Sequence, residues 1–546
     1  MNITYIYIIL IILIPFFFAL LIVFINNTKK NIILNFLFIP SLITFFLSIK
    51  LLSLSNYINN FQYFNFLEIK WLAFLNLNFS IGLDNISLLF ILLTTFIFLI
   101  CSLASWKHIA IDVKLFSINI LLLESLLILI FLSCDLFFFY IFFESILIPM
   151  FFIIGKFGSR NKKISASFLL FIYTFIGSIF MLIGILFIYY YIGTTNYYIL
   201  LTEIEICDFL QKILWWLFFI AFAVKVPMIP FHLWLPEAHV EAPTPGSVIL
   251  AGILLKLGTF GMIRFLFALF PYANYFYSIF VGVLSIIGIL YASITAFKQF
   301  DFKRVIAYSS ISHMNLIVLG LYTHNIATIV GSLVQMFGHG LIAGALFLSL
   351  NVLYERFHER TISHYSGIIK IMPIFCYFFL FISLSNISFP GTISFVAEYL
   401  MLYGILNSNY IAGLFALISM LLTSTFTLWL FNRISFGNIN LNGITSFIKK
   451  CLIEIKKKFS IHRTIRYRYL EFLDVIEFTT NLKILSRRNI KHYIKFAKFD
   501  FKLRDFCIFL ILIIFIIFFG INPTILIKYL YTSVYFLNYN IYIYNY

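Results

Sequence analysis

Seven ionisable side chains lie inside apolar stretches, where a charge is disfavoured: Glu124, Glu144, Lys225, Lys256, His313, His339 and Glu398. An eighth candidate, His232, follows Lys225 in the stretch "VKVPMIPFHLWLP". A charge at the centre of a bilayer costs about 3 kcal/mol or more unless it is paired or reaches water, so such groups read first as functional. The chemistry that wants acids, amines and imidazoles together in a dry interior is proton transfer. Burial strips an ammonium of solvation and favours its neutral form, and a nearby carboxylate restores the charge. Moving Glu144 toward or away from Lys225 would therefore switch the lysine between holding and releasing a proton. Histidines titrate near neutrality, so His313 and His339 suit relay positions. Each residue alone has a plainer reading: a structural acid bonded to a lysine, a snorkelling lysine, or a packed imidazole. Their recurrence through successive apolar segments favours a chain of sites.

The elements that must hold these groups are membrane helices. The 546 residues are 62% hydrophobic, 20% aromatic and only 11% charged. Uninterrupted apolar runs of spanning length recur from Tyr5 to Leu530 and lack the alternation of lumen-facing strands. A helix satisfies its own backbone in lipid, so the predicted fold class is an all-α polytopic membrane protein with about fourteen spans. These fall near 3–25, 32–55, 83–106, 114–133, 135–155, 165–192, 211–235, 244–270, 274–297, 304–322, 325–352, 371–404, 409–434 and 506–530. The first segment, Tyr5 to Phe24, lacks a basic leader and reads as a retained span. Basic residues concentrate in the loops after odd-numbered spans, among them Lys29, Lys107, Lys156, Lys303 and Arg356. That parity supports the count and places both termini opposite the basic loops. The acidic loop "PEAHVEAP" after the seventh span is the exception.

Two spans carry breaks. Pro227, Pro230 and Pro236 follow Lys225, and Pro390 with Gly391 precedes Glu398. Proline and glycine interrupt helical hydrogen bonding, and in transporters discontinuous helices occur where backbone faces a polar cavity. Helices seven and twelve are five spans apart, which predicts two inverted five-helix repeats. The chain then divides into 1–113 (helices one to three), 114–270 (first repeat), 271–437 (second repeat), 438–504 (a basic insertion) and 505–546 (last helix and tail). From 438 to 505 there are 16 Lys/Arg against 6 Asp/Glu, so most of the net charge of +17 sits there. A solvated amphipathic segment touching acidic lipid or a neighbouring subunit explains it, and no stacking motif supports nucleic-acid binding.

Other chemistry fits poorly. The six cysteines are scattered without a CxxC pair, which speaks against an iron–sulfur cluster, structural zinc or a disulfide framework. "GHGLIAG" (Gly338 to Gly344) lacks the spacing of a nucleotide loop and reads as small-residue helix packing. The excess of Phe, Ile, Asn, Lys and Tyr is what an AT-biased gene, such as an organellar one, encodes.

The stretches "AFAVKVPMIPFHLWLPEAHVEAPTPGSVILAGILLKLG", "FKRVIAYSSISHMN", "SNISFPGTISFVAEYL" and "FNRISFG" resemble the subunit 4 family of the proton-pumping NADH:ubiquinone oxidoreductase, respiratory complex I. It is one of the antiporter-like families, similar to subunits of multisubunit cation/proton antiporters. The resemblance covers roughly Glu124 to Gly437 and resumes near Arg504. It implies fourteen helices with inverted repeats, broken in the seventh and twelfth. It also implies roles: Glu144 tunes Lys225, Lys256 is the central relay, and Glu398 is the terminal site toward the opposite face. His313 and His339 match histidines on the hydrophilic axis, and Glu124 and His232 accompany them. No cofactor or metal is implied for this chain; NADH, flavin, iron–sulfur clusters and ubiquinone belong to partner subunits. The implied setting is the mitochondrial inner membrane, with basic loops in the matrix and both termini in the intermembrane space. Partners would be the other membrane-arm subunits, including neighbouring antiporter-like ones, and lipid. The insertion is longer than the family usually has, and the first hundred residues match in hydrophobicity alone. Two rivals use the same residues differently: a cation/proton antiporter subunit without a dehydrogenase, and a purely structural scaffold.

Overall fold

The computed structural model describes residues 2–55, 64–72, 76–109, 111–202, 206–357, 359–438 and 500–543. Most of these are helical. The helices are α1 (Asn2–Phe24), α2 (Lys30–Ser55), α3 (Asn85–His108), α4 (Val113–Leu132), α5 (Leu136–Phe157), α6 (Lys163–Ile192), α7a (Asp208–Lys225) and α7b (Trp234–Glu241). They continue with α8 (Thr244–Phe267), α9 (Ser278–Phe297), α10 (Phe302–Leu321), α11 (Ile326–Phe357), α12a (Pro373–Asn386), α12b (Ile393–Ser408), α13 (Tyr410–Ser435), α14 (Leu503–Ile521) and α15 (Thr524–Ile543).

Among the described residues, 12 helices are long and apolar enough to cross a membrane. The two expected spans missing from that set are the seventh and twelfth, which are the two with proline breaks. α7a carries three charges and is followed by the short α7b, while α12a and α12b are each under 18 residues. The sequence-predicted breaks are thus real interruptions, at 226–233 and 387–392.

The bundle is ordered by polarity in the reverse of a soluble protein. The central stretches of α8 and α11 are buried in full, whereas only 28% of that in α1 is. Peripheral helices such as α6 and α9 present Ile172, Ile176, Ile183, Ile279 and Ile287 outward, as lipid-facing surfaces do. The ionisable candidates sit mostly on the innermost helices, where neighbouring helices rather than lipid surround them.

Three features depart from the expectation of helices alone. β1 (Phe64–Leu72) and β2 (Leu77–Leu83) form an antiparallel hairpin, paired from Phe64 opposite Leu83 to Leu72 opposite Leu77 with register shifts between Asn65 and Leu67 and between Lys70 and Leu72. β2 lies on the α4–α5 junction, where the Cys134 amide donates to Ser80 O at 3.0 Å. Hydropathy over spanning windows does not register so short a pair. Second, the last expected helix is two: Pro523 cannot continue α14, and α15 begins beyond it. Asn85 at the start of α3 donates to Tyr529 O at 2.9 Å and so ties α15 to the core. Third, α5 is kinked at Ser145–Ile146, because Pro149 has no amide to give the Ser145 carbonyl. Glu144 stands at that kink. The predicted basic insertion, 438–504, lies largely outside the described residues.

Candidate functional site

Lys256 occupies the middle of α8 between two π-wound stretches, Leu250–Leu254 and Met262–Phe267. Such widened turns are rare and often mark functional sites. The fully buried Lys256 amino group donates to the Ala251 carbonyl at 2.5 Å and shares a hydrogen bond of 2.8 Å with Nδ1 of His339 on α11. The ring of His339 lies 5.6 Å, centroid to centroid, from that of His313 on α10. His313 Nδ1 in turn stands 3.4 Å from Glu398 Oε1 on α12b. Gln335, one turn before His339 on α11, donates to the same carboxylate oxygen at 3.0 Å. Four titratable groups on four helices therefore form one line, and each is at most 4% exposed.

Small residues let the helices close on that line. A Cβ at Gly338 would meet Ile393 at 3.0 Å, and one at Gly340 would stand 3.1 Å from Gly252 O. The glycines on either side of His339 thus bring α11 against α12b and α8, the packing role read from "GHGLIAG". At the α12 break, Gly391 adopts φ +91°, a left-handed backbone that favours glycine. The Ser394 hydroxyl donates to Ser385 O at 2.5 Å across the break, occupying a carbonyl left by α12a.

Lys225 and Glu144 are arranged differently. Lys225 is the last residue of α7a, where the negative end of the helix dipole favours a cation. The Trp234 indole donates to Val224 O at 2.9 Å and holds the α7 break. The buried Lys225 ammonium has no hydrogen-bond partner; it rests 4.2 Å from the centroid of the Phe143 ring. Glu144, half-buried, has one carboxylate oxygen buried without a partner. The two charges belong to adjoining helices and form no ion pair.

The other two candidates lie off the line. Glu124 on α4 accepts from the Thr44 hydroxyl of α2 at 2.6 Å, beside the serine and threonine contacts that join α2 to α3. His232, within the α7 break, sets its ring against Tyr291 at 5.2 Å, and neither nitrogen has a partner. No group of three or more possible metal ligands is found among the described residues.

The structure also places residues that the sequence concealed. "PEAHVEAP" is no exposed acidic loop: most of it forms the end of α7b, with His239 and Glu241 wholly buried. His239 stacks on Phe347 at 4.7 Å and lies in the fields of both Lys303 and Lys256. Lys303, which reads in the sequence as a basic loop residue, is 1% exposed and donates to Ala242 O at 2.7 Å. Gln335 carried no signal, since a lone amide in an apolar run has many structural uses.

Residues 133–424 match a family model described as the transmembrane region of NADH:quinone oxidoreductase and Mrp antiporters. NADH-ubiquinone oxidoreductase chain 4 of Marchantia polymorpha is 47% identical over 437 residues, 80% of this chain and 88% of the relative. The protein of the same description from Chondrus crispus is 46% identical over 433 residues, 79% of this chain and 88% of that one. Among solved structures, a chain of respiratory complex I from Thermus thermophilus aligns with a TM-score of 0.77 at 21% identity, covering 97% of this chain and 99% of the other. A chain of the Mrp complex from Dietzia aligns with a TM-score of 0.78 at 18% identity, covering 98% of each.

Proposed function

Because the chain belongs to the family of NADH:quinone oxidoreductase and Mrp antiporter transmembrane subunits, we propose that its buried line of titratable groups is a proton path. It is a proton-pumping membrane-arm subunit of an NADH:ubiquinone oxidoreductase, with other membrane-arm subunits as its neighbours. The observation that supports the path is the succession Lys256, His339, His313 and Glu398, linked in turn by a hydrogen bond, a ring contact and a 3.4 Å approach. A protonated Lys256 donates to His339 Nδ1; a proton passed on to His313 is received beside the Glu398 carboxylate. Gln335 fixes that carboxylate at the end of the line.

Glu144 and Lys225 act as the switch on this reading. In this structure the ammonium faces an aromatic ring and feels the acid through space, without a hydrogen bond to it. A change in the α5 kink that brought Glu144 onto Lys225 would hold the proton there, and its reversal would release it. Coupling to distant quinone reduction then needs two arrangements of these helices with different proton affinities. NADH oxidation, flavin, iron–sulfur and quinone chemistry are assigned to partner subunits. The setting is the mitochondrial inner membrane, with the basic loops in the matrix and both termini in the intermembrane space. Spans four to eight (114–270) and nine to thirteen (271–437) form the inverted repeats, each contributing one broken helix. The described helices α1 to α3, α14 and α15 pack against them.

The curated relatives favour this reading over an antiporter working without a dehydrogenase. Purification of native membrane complexes containing the chain tests it. Inhibitor-sensitive NADH:quinone reduction with coupled proton translocation is expected to travel with the chain. Cation/proton exchange without redox subunits would replace it with the antiporter reading.

A further inference from the structure

On the face that carries the basic loops, a cavity of about 450 Å³ opens between the α3–α4 loop, the end of α5, and the starts of α8 and α10. Lys156, Lys163, Lys303 and Arg360 line it against one acid, Asp112, which Lys156 already pairs at 2.7 Å. Glu241 and Asp301 lie close behind, and Asp301 is engaged by Arg160 at 3.5 Å. Positive charge remains in excess on the lining itself.

Three buried polar groups in this wall have unused capacity. Lys303 has three ammonium donors and one protein acceptor, Ala242 O. Arg360 spends its terminal nitrogens on Val240 O and the Ser159 hydroxyl, which leaves Nε without a partner. The Thr244 hydroxyl, 4% exposed, has no partner either. Thr244 is the first residue of α8, a 24-residue span that begins at Pro243 without a capping side chain. Helix starts offer backbone donors and a positive dipole end, which suit an anion; here Pro245 removes one of the donors, which leaves the side chains to supply more of the grip. Lys303 is the second residue of α10, so its charge meets the positive end of that helix; Asp301 at the cap and Glu241 offset it, but Arg360 and Arg160 add to the positive field. Burial also pushes the Arg360 guanidinium below its ordinary pKa, and an anion would oppose that push.

We propose that this cavity binds a phosphate-class oxyanion at the start of α8, held by Lys303, Arg360 and the Thr244 hydroxyl. A soluble phosphate and the phosphate of an acidic membrane lipid present the same chemistry to it. The bound anion would sit at the head of the helix that carries Lys256.

The purified complex containing this chain provides the test, in two arms. Equilibrium dialysis with labelled inorganic phosphate measures the soluble arm. Native mass spectrometry, after delipidation and re-addition of vesicles containing an anionic phospholipid, measures the lipid arm. Lys303→Met is expected to weaken the bound species about tenfold, as loss of a charged hydrogen bond does. Thr244→Val removes a hydroxyl that has no protein partner, so the fold should tolerate it and anion binding alone should fall. A phosphate stoichiometry lowered by both variants supports the site with a soluble ligand. An acidic lipid lost from both supports it with a lipid headgroup. Unchanged phosphate binding and unchanged lipid retention in Thr244→Val would overturn the proposal, whether or not Lys303→Met assembles.

Discussion

Lys256 and Lys225 are both buried lysines in apolar helices, yet their surroundings differ in kind. Lys256 is held by a carbonyl and an imidazole, and the contacts run on across α11 and α10 to Glu398 on α12b. Lys225 ends a half-helix with no hydrogen-bond partner, over Phe143 instead of beside Glu144. A lysine with fixed acceptors keeps one geometry, whereas an unpartnered ammonium near a carboxylate with one free oxygen has somewhere to go. On the proposed reading, the wired half passes protons and the open half gates them.

This contrast can be broken most strongly at Lys256. Lys256→Met removes the first group of the line and is expected to reduce proton translocation by about 100-fold, the scale of losing a positioned acid–base group. Proton uptake by proteoliposomes during NADH oxidation reads the loss, with subunit content checked on the same membranes.

Lys225→Met and Glu144→Gln should also reduce pumping severely, by no more than Lys256→Met does, and they sharpen the comparison through stability. Because Lys225 has no partner to lose, its replacement is expected to leave the melting temperature unchanged or raised, while Lys256→Met lowers it. A double-mutant cycle on unfolding puts this in numbers: coupling of ~1 kcal/mol between Lys256 and His339, and a smaller value between Lys225 and Glu144, which act on each other through space without a hydrogen bond. Coupling of equal size in both pairs would erase the distinction.

Gln335→Leu leaves the line intact and removes one hydrogen bond from the Glu398 carboxylate. The expected effect is a fall in pumping of about fivefold, equivalent to roughly 1 kcal/mol. Smaller again are the groups off the line. His232→Asn and Glu124→Gln are expected to hold turnover within about twofold, because neither residue touches the Lys256–Glu398 series. A large loss in either would mean that the path extends beyond the contacts described.

Packing offers an independent check. Gly520 on α14 lies against the α12 break, so an added Cβ would stand 2.6 Å from the Thr392 carbonyl carbon. Gly520→Ala should cost about 1–3 kcal/mol of stability through overpacking, measured as a lowered melting temperature.

Much of this arrangement was legible in the sequence. Apolar runs located the helices, and prolines beside Lys225 and Glu398 located the two breaks, since a missing amide acts locally. The hairpin at Phe64–Leu83 escaped because its strands are shorter than a spanning window. Lys303 and His239 escaped for another reason: charge near a helix end suggests solvent, and only the packing of α8, α10 and α11 shows both residues buried. The order of the site escaped as well, because contacts between helices far apart in sequence leave no local pattern. Glu124 illustrates the converse, an acid in an apolar run whose partner is a structural hydroxyl, Thr44.

The most direct test of the central claim is the number of protons translocated per quinone reduced by proteoliposomes containing His339→Leu. His339 is the link between Lys256 and His313, and it reaches neither Glu144 nor Lys225. The account predicts that proton translocation falls sharply in this variant while the corresponding His232→Asn preparation keeps the full ratio. A full ratio in His339→Leu would contradict a path running through Lys256, His339, His313 and Glu398.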